Sequence, residues 1–120
     1  MTCIKINGIV YTVAIAKTNE EKEKGLMFIN ELPERTGMIF IEPYPTKFSV
    51  WMKNTYISLD ILFIDKNNVV CDIIPNNKPF DLTIKQSKCN CLYMIELPSG
   101  HINKYNIQIG QPFQFCEKLK

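Results

Sequence analysis

Histidine and arginine are nearly missing from this 120-residue chain, which has one of each, His101 and Arg35. A lone imidazole gives little basis for a His-ligated metal centre or a nucleophile–base pair. Arginine is the usual bidentate reader of phosphate and guanine, so positive charge carried almost wholly by lysine argues against nucleic-acid recognition. The formal net charge of +2 points the same way, because such partners select a concentrated basic face. No stretch approaches the roughly 20 apolar residues that cross a bilayer. The opening Met1-Thr2-Cys3-Ile4-Lys5-Ile6-Asn7 lacks the basic-then-apolar mark of a secretion signal. The expectation is a cytoplasmic protein without membrane contact. Gly-x-Ser-x-Gly, a phosphate loop and a dinucleotide fingerprint are all missing, and no cofactor is implied.

Cys-x-x-Cys is also missing. The five cysteines (Cys3, Cys71, Cys89, Cys91 and Cys116) form an odd set without zinc-knuckle spacing. The expectation is reduced, structural thiols and no metal site.

What the chain does have is material for a core. Hydrophobic residues make up 46% and charged ones 22%, which excludes global disorder. The length fits one domain over residues 1–120, and no linker or repeat divides it. β-Branched residues crowd Cys3 to Ala16 around Asn7-Gly8, a pair suited to a tight turn, so a hairpin is expected there. Thr18-Asn19-Glu20-Glu21 is a capping-box pattern that starts a short helix, about residues 19–27, with Gly25 near its end. Gly37 to Ile41 reads as a buried strand and Glu42-Pro43-Tyr44-Pro45 as a loop. Alternation from Lys47 to Lys53 puts Phe48, Val50 and Met52 on one face of a strand. Leu59 to Asp65 and Val69 to Ile74 form a second hairpin, and residues 75–86 read as irregular. A strand from Cys91 to Leu97, one helical turn from His101 to Tyr105, and short strands over 107–109 and 113–115 complete the chain. The class is α+β, mostly β: a small curved sheet or partly closed barrel, with one short helix after an N-terminal hairpin.

Five segments together carry a resemblance. They are Glu23-Lys24-Gly25-Leu26-Met27-Phe28, Gly37-Met38-Ile39-Phe40, Trp51-Met52-Lys53-Asn54-Thr55, Leu59-Asp60-Ile61-Leu62-Phe63-Ile64-Asp65 and Ile95-Glu96-Leu97-Pro98-Ser99-Gly100. Read in order, with Gly110 also in place, they resemble the domain of unknown function 192 family over about Ile4 to Phe115. The resemblance implies a compact β-rich fold with a short helix after the first hairpin, and no activity. Two positions depart from the family pattern: Ile29 stands where an arginine is usual, and Ser58 where a proline is usual.

The informative polar set is Lys53, Asn54, Thr55, Asp60 and Glu96. Asp60 and Glu96 interrupt strands that otherwise read as buried, and a buried carboxylate is costly unless paired. One reading is an internal network in which Lys53 pairs with Asp60, Asn54 and Thr55 form a turn, and Glu96 caps loop N–H groups. The other is a shallow pocket, with Trp51 and Tyr56 as wall, that binds a small polar or anionic ligand of nucleotide or sugar type without catalysis. A hydrolase using Asp60 and Glu96 as a carboxylate pair is a further alternative, with Asp65 as an added metal ligand. Asp65 also fits an ordinary turn. The last alternative is an interaction module that docks a partner protein by a sheet edge or apolar surface.

Overall fold

Asn7 and Gly8 adopt positive φ angles of 47° and 81°, the twist that a two-residue hairpin turn requires. They join β1 (Thr2–Ile6) to β2 (Ile9–Ala16), paired from Thr2 opposite Val13 to Ile6 opposite Ile9. The coordinates are a computed structural model that describes residues 1–116. Helix α1 (Asn19–Lys24) follows, and its capping box is complete: Thr18 Oγ1 accepts from the Glu21 N–H, and Glu21 accepts from the Thr18 N–H. The helix ends three residues before the sequence-based boundary. Gly25 stops it by turning to φ 50°, ψ −129°, a conformation that side chains oppose.

The remaining strands are β3 (Thr36–Thr46), β4 (Ser49–Val50), β5 (Leu59–Ile64), β6 (Val70–Asn77), β7 (Lys85–Gln86), β8 (Cys91–Pro98) and β9 (Phe113–Phe115); α2 (His101–Lys104) lies between the last two. Seven strands form one sheet in the order β6-β5-β8-β3-β2-β1-β9, and β4 pairs with β7 separately. β2 and β3 run parallel, so the chain between them must cross over, which is the task of α1 and the residues after it. The outermost strands of the sheet curl toward each other. Val69 bridges Pro112, the Val70 N–H donates to the Gln111 carbonyl at 2.9 Å, and the Gly110 N–H donates to the Val70 carbonyl at 2.8 Å. The mostly β class and the partly closed barrel are thus observed. Pro112, which has no N–H to give, sits at this seam.

The barrel interior holds Ile4, Ile6, Val13, Ile39, Leu62, Ile95 and Leu97, with Tyr11 and Ile102 packed among them. A second apolar layer lies on the outer face: Phe40, Phe48, Ile61, Phe63, Cys91 and Met94. Val50 of β4 packs on this layer, and α1 stands across a cavity from Phe40 and Met94. Both faces of β5 are covered, which is why all six of its residues are buried.

Several sequence expectations are corrected. Glu42 to Pro45 is not a loop but part of β3, which tolerates two prolines because its register against β8 shifts between Ile41 and Thr46. The strand expected over 47–53 shrinks to Ser49–Val50, although Phe48 and Met52 are buried as the alternation requires. Residues 107–109 are not a strand; Ile107 folds back on α2, its N–H donating to the Ile102 carbonyl. The cysteines are not all reduced. Cys3 is bonded to Cys116 and Cys71 to Cys89, and Cys91 alone is a buried free thiol. Each bridge links segments distant in the chain, which spacing rules do not reach.

Candidate functional site

β8 sits between β3 and β5, and its register sorts the acidic side chains. Glu96 lies opposite Ile61 of β5 and Met38 of β3, whereas Asp60 lies opposite Leu97. Residues opposite each other share a face, and successive residues alternate. Asp60 therefore leaves the sheet on the interior side with Leu97, and Glu96 leaves it on the outer side with Ile61 and Met94. The carboxylate pair that a hydrolase would need is not brought together.

Asp60 is 1% exposed and fully engaged in holding the backbone. Its Oδ1 accepts from the Asn76 N–H at 2.9 Å, and its Oδ2 accepts from the N–H groups of Gly100 and Ile102 at 3.1 and 2.8 Å. It thereby fixes the start of α2 and the β6 bend, a structural task. The expected pairing with Lys53 does not form. Asp65 likewise serves its own turn, accepting from the Asn67 and Val69 N–H groups at 2.8 and 3.2 Å.

Glu96 is different. It is 4% exposed, no described residue donates a hydrogen bond to its carboxyl group, and burial pushes its pKa up to about 8. Two glycines pack beside this residue and Phe40. A side chain on Gly37 would overlap the Glu96 carbonyl oxygen, and one on Gly25 would stand 3.2 Å from the Phe40 ring and 3.8 Å from Glu96 Oε1. The carboxyl group faces a cavity of about 160 Å³ between α1 and the segment that follows β4, walled by Gly25, Phe40, Trp51, Thr55 and Met94. An outer lobe of about 580 Å³ runs on along β3 to Tyr44, Lys47 and Phe48. The two lobes share Lys22, Phe40, Ser49 and Met94, so together they form a groove with an apolar floor and one deep acid. At the rim Lys22 Nζ is paired with Glu42 Oε1 at 2.7 Å.

Of the residues singled out from sequence, Trp51, Thr55 and Glu96 meet at this groove, and Lys53, Asn54 and Asp60 do not line it. Trp51 is 41% exposed. Lys53 is exposed, its Nζ 5.2 Å from the Trp51 ring centre. Asn54, at φ 53°, accepts the Phe28 N–H at its carbonyl, and Thr55 Oγ1 donates to the Lys53 carbonyl at 3.0 Å. Tyr56 leaves the groove to contact Phe28 and Phe80, with ring centres 5.9 and 5.6 Å away. The sequence reading missed Lys22, Ser49 and Met94. It noted Gly25 only as a point of close approach. A glycine ending a capped helix, followed by Leu-Met, was the available signal.

His101 stands where the sequence places a helical turn. It opens α2, is 4% exposed, and lies between the Tyr11 hydroxyl (Nδ1, 3.4 Å) and Glu34 Oε1 (Nε2, 3.4 Å). Burial lowers its pKa, so the ring favours the neutral form. No helix of the described residues is long and apolar enough to cross a membrane.

Comparison with known proteins places these features in context. Residues 2–115 match the family model described as "DUF192: Uncharacterized ACR". A crystal structure of a protein of unknown function from Novosphingobium aromaticivorans DSM 12444 is 32% identical, with a TM-score of 0.89 over 93% of this chain and 83% of that one. A second, from Sinorhizobium meliloti 1021 and described as a "putative transcription regulator", is 27% identical with a TM-score of 0.90, over 95% of this chain and 92% of that one. No curated protein matches the chain.

Proposed function

The chain belongs to the DUF192 family, and on that footing we propose that it is a non-enzymatic binding protein holding a small polar molecule in the groove beside Glu96. One observation carries the reading: a buried carboxyl group, without a donor from the described residues, that faces a cavity open to solvent. Internal polar groups are ordinarily satisfied by the fold itself, as Asp60 is. A group left unmatched where the chain has also kept Gly25 small is suited to meet a molecule from outside. Trp51 supplies an aromatic wall and Phe40 with Met94 an apolar floor, so the ligand has a flat or apolar body as well as a polar group.

The hydrolase alternative has no support in this geometry, because Asp60 and Glu96 point to opposite faces of the sheet. Regulation of transcription, the description attached to the Sinorhizobium protein, has little to recommend it here, given one arginine and a net charge of +2. An interaction module is favoured by a separate observation: Phe28, Tyr56 and Phe80 are all exposed and touch in a row.

The test is a thermal-shift screen of nucleotides, sugars, amino acids and amines against wild type and Glu96→Gln. One ligand class should raise the Tm of wild type and leave that of the variant unmoved. If no compound stabilises wild type, or if the variant responds equally, the groove is not the site.

A further inference from the structure

We propose that the groove selects a small organic cation, an amidinium, guanidinium or primary ammonium on an apolar or aromatic body, with Glu96 as its counter-ion. The inference rests on the binding reading above and adds the charge and size of the ligand.

The place of the carboxyl group among the charged side chains is the first argument. From α1 the ionisable side chains at the cavity are Lys22, Glu23 and Lys24. From β3 there is Glu42 at the outer rim, whose partner is Lys22, and directly after β3 Lys47 lines the outer lobe. β8 brings no ionisable group besides Glu96 to the cavity, and the segment after β4 brings none, since Lys53 does not line it. Lys22, Lys24 and Lys47 stand against Glu23 and Glu42, so the rim carries one positive charge in excess. Glu96 is the one ionisable side chain in the depth of the groove, and once its proton leaves no described residue pairs with the carboxylate. A carboxylate in an apolar setting is strongly stabilised by a cation that arrives with its own N–H donors.

The walls are the second argument. Trp51 and Phe40 line the cavity in which the acid lies, and aromatic faces attract cations through their quadrupole. An anion in the inner lobe would meet the opposite situation: an apolar floor and a deep acid. Size is the third argument. The inner lobe of about 160 Å³ is comparable to apolar cavities of about 150 Å³ that accept a benzene ring. It therefore takes one ring or a short aliphatic chain, and the outer lobe receives whatever is attached.

Proton exchange gives the proposal a distinct sign. Without ligand the carboxyl group keeps its proton to about pH 8. A cation that pairs with the carboxylate must displace that proton, so its affinity rises with pH below about 8 and then levels off. A neutral ligand that uses the protonated carboxyl as a donor shows the reverse.

Benzamidine, benzamide and benzoate have nearly the same shape and differ in charge, and methyl glucoside adds a sugar. Each is titrated into wild type, Glu96→Gln and Trp51→Ala, with heteronuclear NMR reading the Gly25 and Glu96 amides, at pH 6, 7, 8 and 9. The expected result is that benzamidine binds best in wild type, with affinity rising nearly tenfold per pH unit from about pH 6 to 7.5 and flat above about 8.5. Benzamide and benzoate should bind at least about tenfold more weakly, and Glu96→Gln should lose about tenfold or more while its spectrum stays folded. Trp51→Ala, an exposed position, should weaken benzamidine several-fold without loss of the fold. Stronger binding of benzamide, benzoate or methyl glucoside at these amides overturns the cation assignment and leaves the binding reading standing. Benzamidine affinity that ignores pH and Glu96→Gln overturns the role of Glu96. If none of the four perturbs the groove and the thermal-shift screen is also blank, both readings fall.

Discussion

Replacing Glu96 by glutamine should change the pH dependence of stability more than its value at any single pH. The physical reason is a mismatch between two states. In the unfolded chain this glutamate titrates near its ordinary value of 4.5; in the folded chain burial holds the proton to about pH 8. Below pH 4.5 both states are protonated and the group contributes nothing to the slope. Between 4.5 and about 8 the unfolded chain has lost the proton and the native chain has kept it, so raising the pH favours unfolding. Above about 8 both states are ionised and the slope vanishes. At about 1.4 kcal/mol per pH unit, the whole window amounts to at most about 5 kcal/mol. Typical domains have a total stability of about 5–15 kcal/mol, so the effect is large. Glu96→Gln keeps the shape and has no proton to lose. Every other titrating group, His101 included, is common to both proteins and cancels in the difference. Urea unfolding followed by circular dichroism at pH 5, 6, 7, 8 and 9, without reductant, reads that difference directly. The variant should gain on wild type steadily from pH 5 to 8 and then run parallel to it. A difference that stays within about 0.5 kcal/mol across the range would refute the claim that Glu96 is buried without an internal partner.

Three further expectations concern the frame around the site. Asp60→Ala removes the acceptor for three buried or half-buried N–H groups and should cost about 3–5 kcal/mol, seen as a lower urea midpoint at pH 7; a loss under about 1 kcal/mol would show that α2 does not depend on it. Gly37→Ala pushes a methyl group into the backbone of β8 and should lower stability by about 3 kcal/mol or more, or prevent folding, as read by the amide dispersion of a proton–nitrogen NMR spectrum. Thr18→Ala removes one half of the capping box on an exposed helix, so about 1 kcal/mol is the expected loss, and Thr18→Ser should restore most of it.

How far the sequence foretold this molecule depends on the range of each interaction. The first hairpin and the start of α1 follow from two or four adjacent residues, Asn7-Gly8 and Thr18 to Glu21, and were legible. The relation between Asp60 and Glu96 was not. Each is recognisable alone as an acid in an apolar strand, but whether they share a face depends on the register of β5 against β8. A shift of one residue would have reversed the answer. Lys53 was assigned to Asp60 by proximity in the pattern; the fold instead satisfies Asp60 with backbone N–H groups 16 to 42 residues away. The cysteine pairs have separations of 113 and 18, and Cys3 meets Cys116 only because β9 pairs with β1. The groove was half visible: Trp51, Thr55 and Glu96 were named, whereas Lys22, Ser49 and Met94 become neighbours only when α1 and β4 fold over the sheet.

The bond between Cys3 and Cys116 turns nearly all of the described chain into a covalent ring. A single protease cut at an exposed turn such as Lys66 to Asn68 would then leave two fragments that travel as one species in a denaturing gel and separate once a thiol is added.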